Sequence, residues 1–126
     1  MFTADQIVAH LVGDYLLQSH WMATEKTRNS VAAAVHAVAY TLPFTFITWS
    51  PLALLLICAT HFVVDRWRLA RFVVWVKNGA RGPVTATGYS GDVPAWLSVW
   101  LLIVADNTLH ILINGACLWA AASVDL

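Results

Sequence analysis

Long apolar stretches alternate with short polar or glycine-rich connections along the chain, and polar residues recur within them at helical spacing. The pattern predicts four helices. The first runs over about 5–23, with Thr3-Ala4-Asp5-Gln6 as a capping box. The second, over about 30–49, is nearly all apolar and contains Pro43, which a membrane helix tolerates. The third, over about 51–77, opens on Ser50 as cap with Pro51 at the first helical position, and Asn78-Gly79 reads as its stop. The fourth covers about 94–122, after a Gly-, Thr- and Ser-rich loop over about 78–93.

Each stretch carries histidine or aspartate. His10/Asp14, His61/Asp65 and Asp106/His110 are pairs four residues apart, and His36 stands alone. That spacing puts both members of a pair on one helix face, one turn apart. The polar stripes extend further: Gln6 and Gln18 continue the first, Tyr40 the second, Arg68 the third and Asn114 the fourth. On apolar helices in lipid, such stripes turn inward. Counted from the outer helix ends at ~1.5 Å per residue, most of these groups share a layer about 10 Å thick, with His10 nearer the outer rim. The predicted fold is therefore all-α, a four-helix transmembrane bundle with a polar His/Asp interior, as a single domain over 1–126.

Composition sharpens the class. The chain is 60% hydrophobic and only 11% charged, with a mean hydropathy of +0.68. Soluble domains average about 45–50% apolar and about 25% charged, so an integral membrane protein is expected. The basic residues Lys26, Arg28, Arg66, Arg68, Arg71, Lys77 and Arg81 gather at one side of a four-span topology, with Asp5 and Asp125 at the other. The positive-inside rule then predicts an inner-membrane protein with both termini outside and the basic loops cytoplasmic. The tryptophans gather near the two predicted interfaces. Net charge is zero, and no nucleic-acid partner is expected. The opening MFTADQIVAH lacks a basic leader, so no cleaved signal peptide is expected. Cys58 and Cys117 lie singly in apolar segments without metal-ligand spacing. Ala32, Ala33, Ala34 and Gly115 permit close helix approach, within one chain or in a homo-oligomer.

The chemistry follows from buried carboxylates. Desolvation and mutual repulsion oppose ionising Asp14, Asp65 and Asp106 together. No lysine or arginine is expected at their depth, so a divalent cation is the natural counter-charge. Imidazole and carboxylate donors suit Zn²⁺, Mn²⁺ or Fe²⁺. His10, Asp14, His36, His61, Asp65, Asp106 and His110 are the candidate ligands, enough for one ion or two. Metal-assisted hydrolysis is the matching reaction, with Asp14, Asp65 and Asp106 as candidate catalytic carboxylates. Lys26 and Arg68 are the candidate cations for binding a cofactor or a lipid or phosphate-bearing substrate. The competing readings are a plain Asp–His cross-link between helices, haem ligation, a proton path, and a non-enzymatic holin-like membrane factor.

The stretches HLVGDYLLQ, MATEK, HAVAYTLPF, THFVVDRWRLAR and ADNTLH resemble an uncharacterised family of small multi-pass membrane proteins of bacteria and actinobacterial phages. The resemblance covers nearly the whole chain. It implies a membrane topology and marks His10, Asp14, Gln18, Lys26, His36, His61, Asp65, Arg68, Asp106 and His110 as motif positions; it implies no activity. A looser similarity links the chain to inner-membrane proteins of metal-dependent hydrolase type, without a long-range motif match.

Overall fold

The computed structural model describes residues 2–124. Asp125, invoked above in the charge asymmetry, lies outside them. The described residues are all-α, with six α-helices and no strand. They divide into two compact units. One takes the chain up to Trp67 and again from His110; the other is Arg68–Leu109.

The first unit begins with α1 (Ala4–Leu11), where the Thr3 hydroxyl accepts from the Gln6 amide and Asp5 suits the positive helix end. The predicted helix over 5–23 is not continuous. A π turn occupies Val12–Leu16, closed by Leu17 N donating to Val12 O at 3.0 Å. Within it, a Cβ on Gly13 would sit 2.6 Å from Tyr40 Cδ2 and 2.9 Å from Tyr40 O. Backbone meets backbone there, and only glycine fits. After a break, Ser19 caps a separate short helix, α2 (His20–Glu25), and Lys26 follows at its C-cap.

Asn29 starts α3 (Ser30–Thr41) by accepting from the Val31 and Ala32 amides at 2.9 and 3.4 Å. Pro43 ends it in a 3-10 turn, Leu42–Phe46, short of the predicted Trp49, because proline cannot continue the amide ladder. As predicted, Ser50 and Pro51 open α4 (Pro51–Arg66). Ala32, Ala33, Ala37 and Ala53 are all but fully buried, so small residues bring α3 and its neighbours close within the chain. Gly115 serves the same end under the Phe2 ring.

The predicted helix over 51–77 also breaks. Arg68 adopts φ 51°, a left-handed conformation that no α-helix accommodates. It separates α4 from α5 (Ala70–Lys77), which belongs to the second unit. There the glycine-rich loop folds back on α5: Lys77 Nζ donates to Tyr89 OH at 2.9 Å and Trp75 Nε1 to Gly82 O at 3.1 Å. Gly88, at φ 81°, packs its backbone on Arg71 O, where a side chain has no room.

The last helix, α6 (Ala95–Val124), has 30 residues and a mean hydropathy of 1.6 over its most apolar window. It is long and apolar enough to cross a membrane, and among the described residues it alone meets that standard. The apolar α3 segment, Ser30–Phe46, is shorter.

Candidate metal centre

The interior of the first unit is polar. Gln6, His10, Asp14, His36, His61, Asp65, His110 and Asn114 are buried, each 7% exposed or less. The π turn delivers Asp14, α3 delivers His36, and α4 delivers His61 and Asp65 from one face. Each of the four offers a donor atom, and these atoms all lie within 4.8 Å of one another.

The separations are specific. His36 Nε2 lies 2.9 Å from His61 Nε2, 3.2 Å from Asp14 Oδ1 and 3.1 Å from Asp65 Oδ2. His61 Nε2 lies 3.4 Å from Asp14 Oδ1 and 3.2 Å from Asp65 Oδ2. Donors held at ~2.0–2.1 Å around a tetrahedral ion stand about 3.3–3.4 Å apart. Two imidazoles and two carboxylates are also the donor types that borderline divalent ions accept. The cluster is therefore a buried group able to hold a metal ion.

Ring contacts hold the donors in place. Tyr40 stacks on His61 with centroids 3.5 Å apart and planes 12° from parallel. The Nδ1 atoms of His36 and His61 are buried without a hydrogen-bond partner among the described residues. Both rings thus direct their polar capacity through Nε2, towards the cluster. A histidine ligand usually donates its second N–H to a neighbour; for His61, stacking on Tyr40 takes over the orienting role.

The remaining predicted residues divide. His10 is not among the four donors, but its Nδ1 lies 3.5 Å from Asp14 Oδ2 and 2.8 Å from Tyr40 OH. His110 Nε2 lies 3.1 Å from Asp65 Oδ1, on the side of that carboxylate away from the oxygen used in the cluster. Asp106 lies one turn before His110 on α6, half-buried, and belongs to the second unit. Arg68 also belongs there and donates to Ala86 O at 3.1 Å.

Lys26 corrects the expectation that no basic group reaches this depth. Its Nζ lies 2.7 Å from Asp65 Oδ2 and 3.4 Å from His36 Nε2. Its backbone is in the connection after α2, as the sequence suggests, but the four-carbon stem carries the ammonium inward. Tyr40 was visible only as a stripe member. Its hydroxyl accepts from Asn114 Nδ2 at 2.6 Å and meets His10, joining three apolar segments. The regular spacing of Gln6 and Asn114 with the histidines was the signal for this network. Gln6 Nε2 donates to Ile111 O at 2.8 Å.

A family model described as "Protein of unknown function (DUF3307)" matches residues 2–123. The chain belongs to this family. DUF3307 therefore accounts for nearly the whole sequence, in keeping with the resemblance to an uncharacterised family. No curated protein and no solved structure matches this DUF3307 member.

Proposed function

We propose that this DUF3307 chain is a multi-pass membrane protein that holds a divalent transition-metal ion and uses it to hydrolyse a lipid-borne or membrane-adjacent substrate. The observation that carries the reading is the set of five donor separations between 2.9 and 3.4 Å among Asp14, His36, His61 and Asp65.

The membrane part rests on inverted polarity. The first unit buries histidine, aspartate, glutamine and asparagine, while Leu16, Phe46, Trp49 and Leu55 are 66–93% exposed. Water penalises that arrangement and lipid favours it. Helix α6 contributes a span-length element, and only 11% of its most apolar window is buried. The four-span topology, with basic connections cytoplasmic, follows from charge placement.

A bound ion supplies Lewis acidity and lowers the pKa of a coordinated water. The chain's own groups do the rest. His36, His61 and Asp65 hold the site from two helices. Three donors suffice for a catalytic ion, so Asp14, the more exposed of the two carboxylates, would be the one to leave the set and take a proton from water, with His10 beside it as the next acceptor. Haem ligation is disfavoured by contact: His36 and His61 nitrogens 2.9 Å apart, under the stacked Tyr40, leave no slot for a macrocycle.

Elemental analysis of untagged, detergent-purified protein tests the reading. About one transition-metal ion per chain is expected, lost in His61→Ala with helicity retained. A folded, metal-free wild type would replace this reading with a polar structural core or a proton path.

A further inference from the structure

Lys26 touches two of the four donors that define the candidate metal centre. Its ammonium lies 2.7 Å from Asp65 Oδ2, the same oxygen that faces His36 and His61. It is also the most exposed member of the group: its side chain is 19% exposed, against 10% for Asp14 and 4% for Asp65. The cluster therefore meets its surroundings at Lys26.

The backbone that carries Lys26 is fixed independently of the cluster. Arg66 donates from Nη1 to Thr27 O at 2.8 Å and from Nε to Ser30 Oγ at 3.1 Å. Asn29 caps α3 just beyond. Only the flexible stem of the lysine is left to move.

Charge decides what that arrangement does. With Asp14 and Asp65 ionised, Lys26 protonated and the histidines neutral, the charges sum to −2 + 1 = −1. Exchanging the ammonium for a divalent ion gives −2 + 2 = 0. Keeping both cations gives −2 + 2 + 1 = +1, with two positive groups on one carboxylate oxygen. Repulsion between two cations on one carboxylate oxygen disfavours that contact.

We propose that Lys26 is a built-in counter-cation: its ammonium and a divalent ion are alternative partners of Asp65, and ion entry displaces the lysine towards the exposed edge. The proposal rests on the reading of the cluster as an ion site. It makes Lys26 the residue that sets ion affinity, and it couples ion occupancy to the presence of a free ammonium at the mouth.

The test is a Zn²⁺ and Mn²⁺ titration of the full-length, chelator-treated protein in detergent, as wild type and as Lys26→Met. Removing the competitor is expected to tighten binding by about tenfold or more. In parallel, an amine-acylating reagent is applied to the wild type with and without Zn²⁺, and modification at Lys26 is read by mass spectrometry. Faster acylation in the loaded protein is expected. This arm needs no variant and stands even if Lys26→Met folds poorly. Equal or weaker affinity in Lys26→Met, or acylation unmoved by Zn²⁺, overturns the competition while leaving the ion site intact. A wild type and variant that both fail to bind either ion overturn the ion site and the competition together.

Discussion

Tyr40 lies flat against His61, with centroids 3.5 Å apart and planes 12° from parallel, while its hydroxyl takes the Asn114 amide at 2.6 Å. One side chain thus orients a candidate ligand with its face and ties α3 to α6 with its edge. Tyr40→Phe keeps the face and removes the edge. Buried Asn114 and His10 then each lose a partner, which costs about 1–3 kcal/mol. Unfolding free energy in detergent is expected to fall by that amount with metal content unchanged. Tyr40→Ala removes both roles and is expected to lower both.

Gly13→Ala places a Cβ 2.6 Å from Tyr40 Cδ2 and 2.9 Å from Tyr40 O. The second contact is backbone and cannot turn aside. Overpacking of this kind costs about 1–3 kcal/mol. Since Asp14 is the next residue, metal content is expected to fall together with stability, whereas Gly91→Ala, which meets nothing within 4 Å, is expected to leave both alone.

The histidines are expected to separate by rank. His61→Ala removes a donor 2.9 Å from His36 Nε2 and is expected to abolish ion binding. His110→Ala removes a contact to the other oxygen of Asp65, and is expected to weaken binding by about 10–100-fold rather than abolish it. Equal losses in the two variants would contradict the four-donor assignment.

An ion that binds the folded chain also stabilises it. At one hundred times its dissociation constant it adds about 2.7 kcal/mol. Chelation is expected to lower the unfolding temperature of the wild type and to leave His61→Ala unmoved. A wild type indifferent to chelation would argue against a resident ion.

Single cysteines test the topology, with Cys58 and Cys117 replaced by alanine. Thr27→Cys and Ser90→Cys are expected to react with an impermeant maleimide only in inverted vesicles, and Thr48→Cys only in right-side-out vesicles. Any other partition sinks the four-span arrangement.

The sequence carried much of this arrangement because buried polarity is costly. Asp14, His36, His61 and Asp65 stood out as ionisable groups on apolar stretches, and counting along the helices placed them at one depth. The structure brings those four together. What escaped was whatever leaves no periodic trace. A π turn inserts a single residue into an otherwise regular pattern, and no glycine or proline marks the break at 17–19, so 5–23 read as unbroken. Arg68 takes a left-handed backbone without the glycine that usually announces one, so 51–77 read as one helix. Lys26 lies outside the apolar stretches, and residue counting locates a backbone rather than the end of a long side chain.

Asp65 and Arg66 are neighbours on α4, yet both hold the same connection: Asp65 takes the ammonium of Lys26, and Arg66 takes the carbonyl of Thr27 and the hydroxyl of Ser30. This fixes an order of events during synthesis. Residues 14, 26 and 36 are all synthesised before either neighbour. Until α4 is made, Asp14 can pair only with His10 and His36, while Lys26 lacks its carboxylate and the connection after α2 is unclamped. The last turn of α4 then supplies both, through Asp65 and Arg66. A chain cut before α4 is expected to be degraded readily, whereas one that includes Arg66 carries what closes the cluster on the side of Lys26.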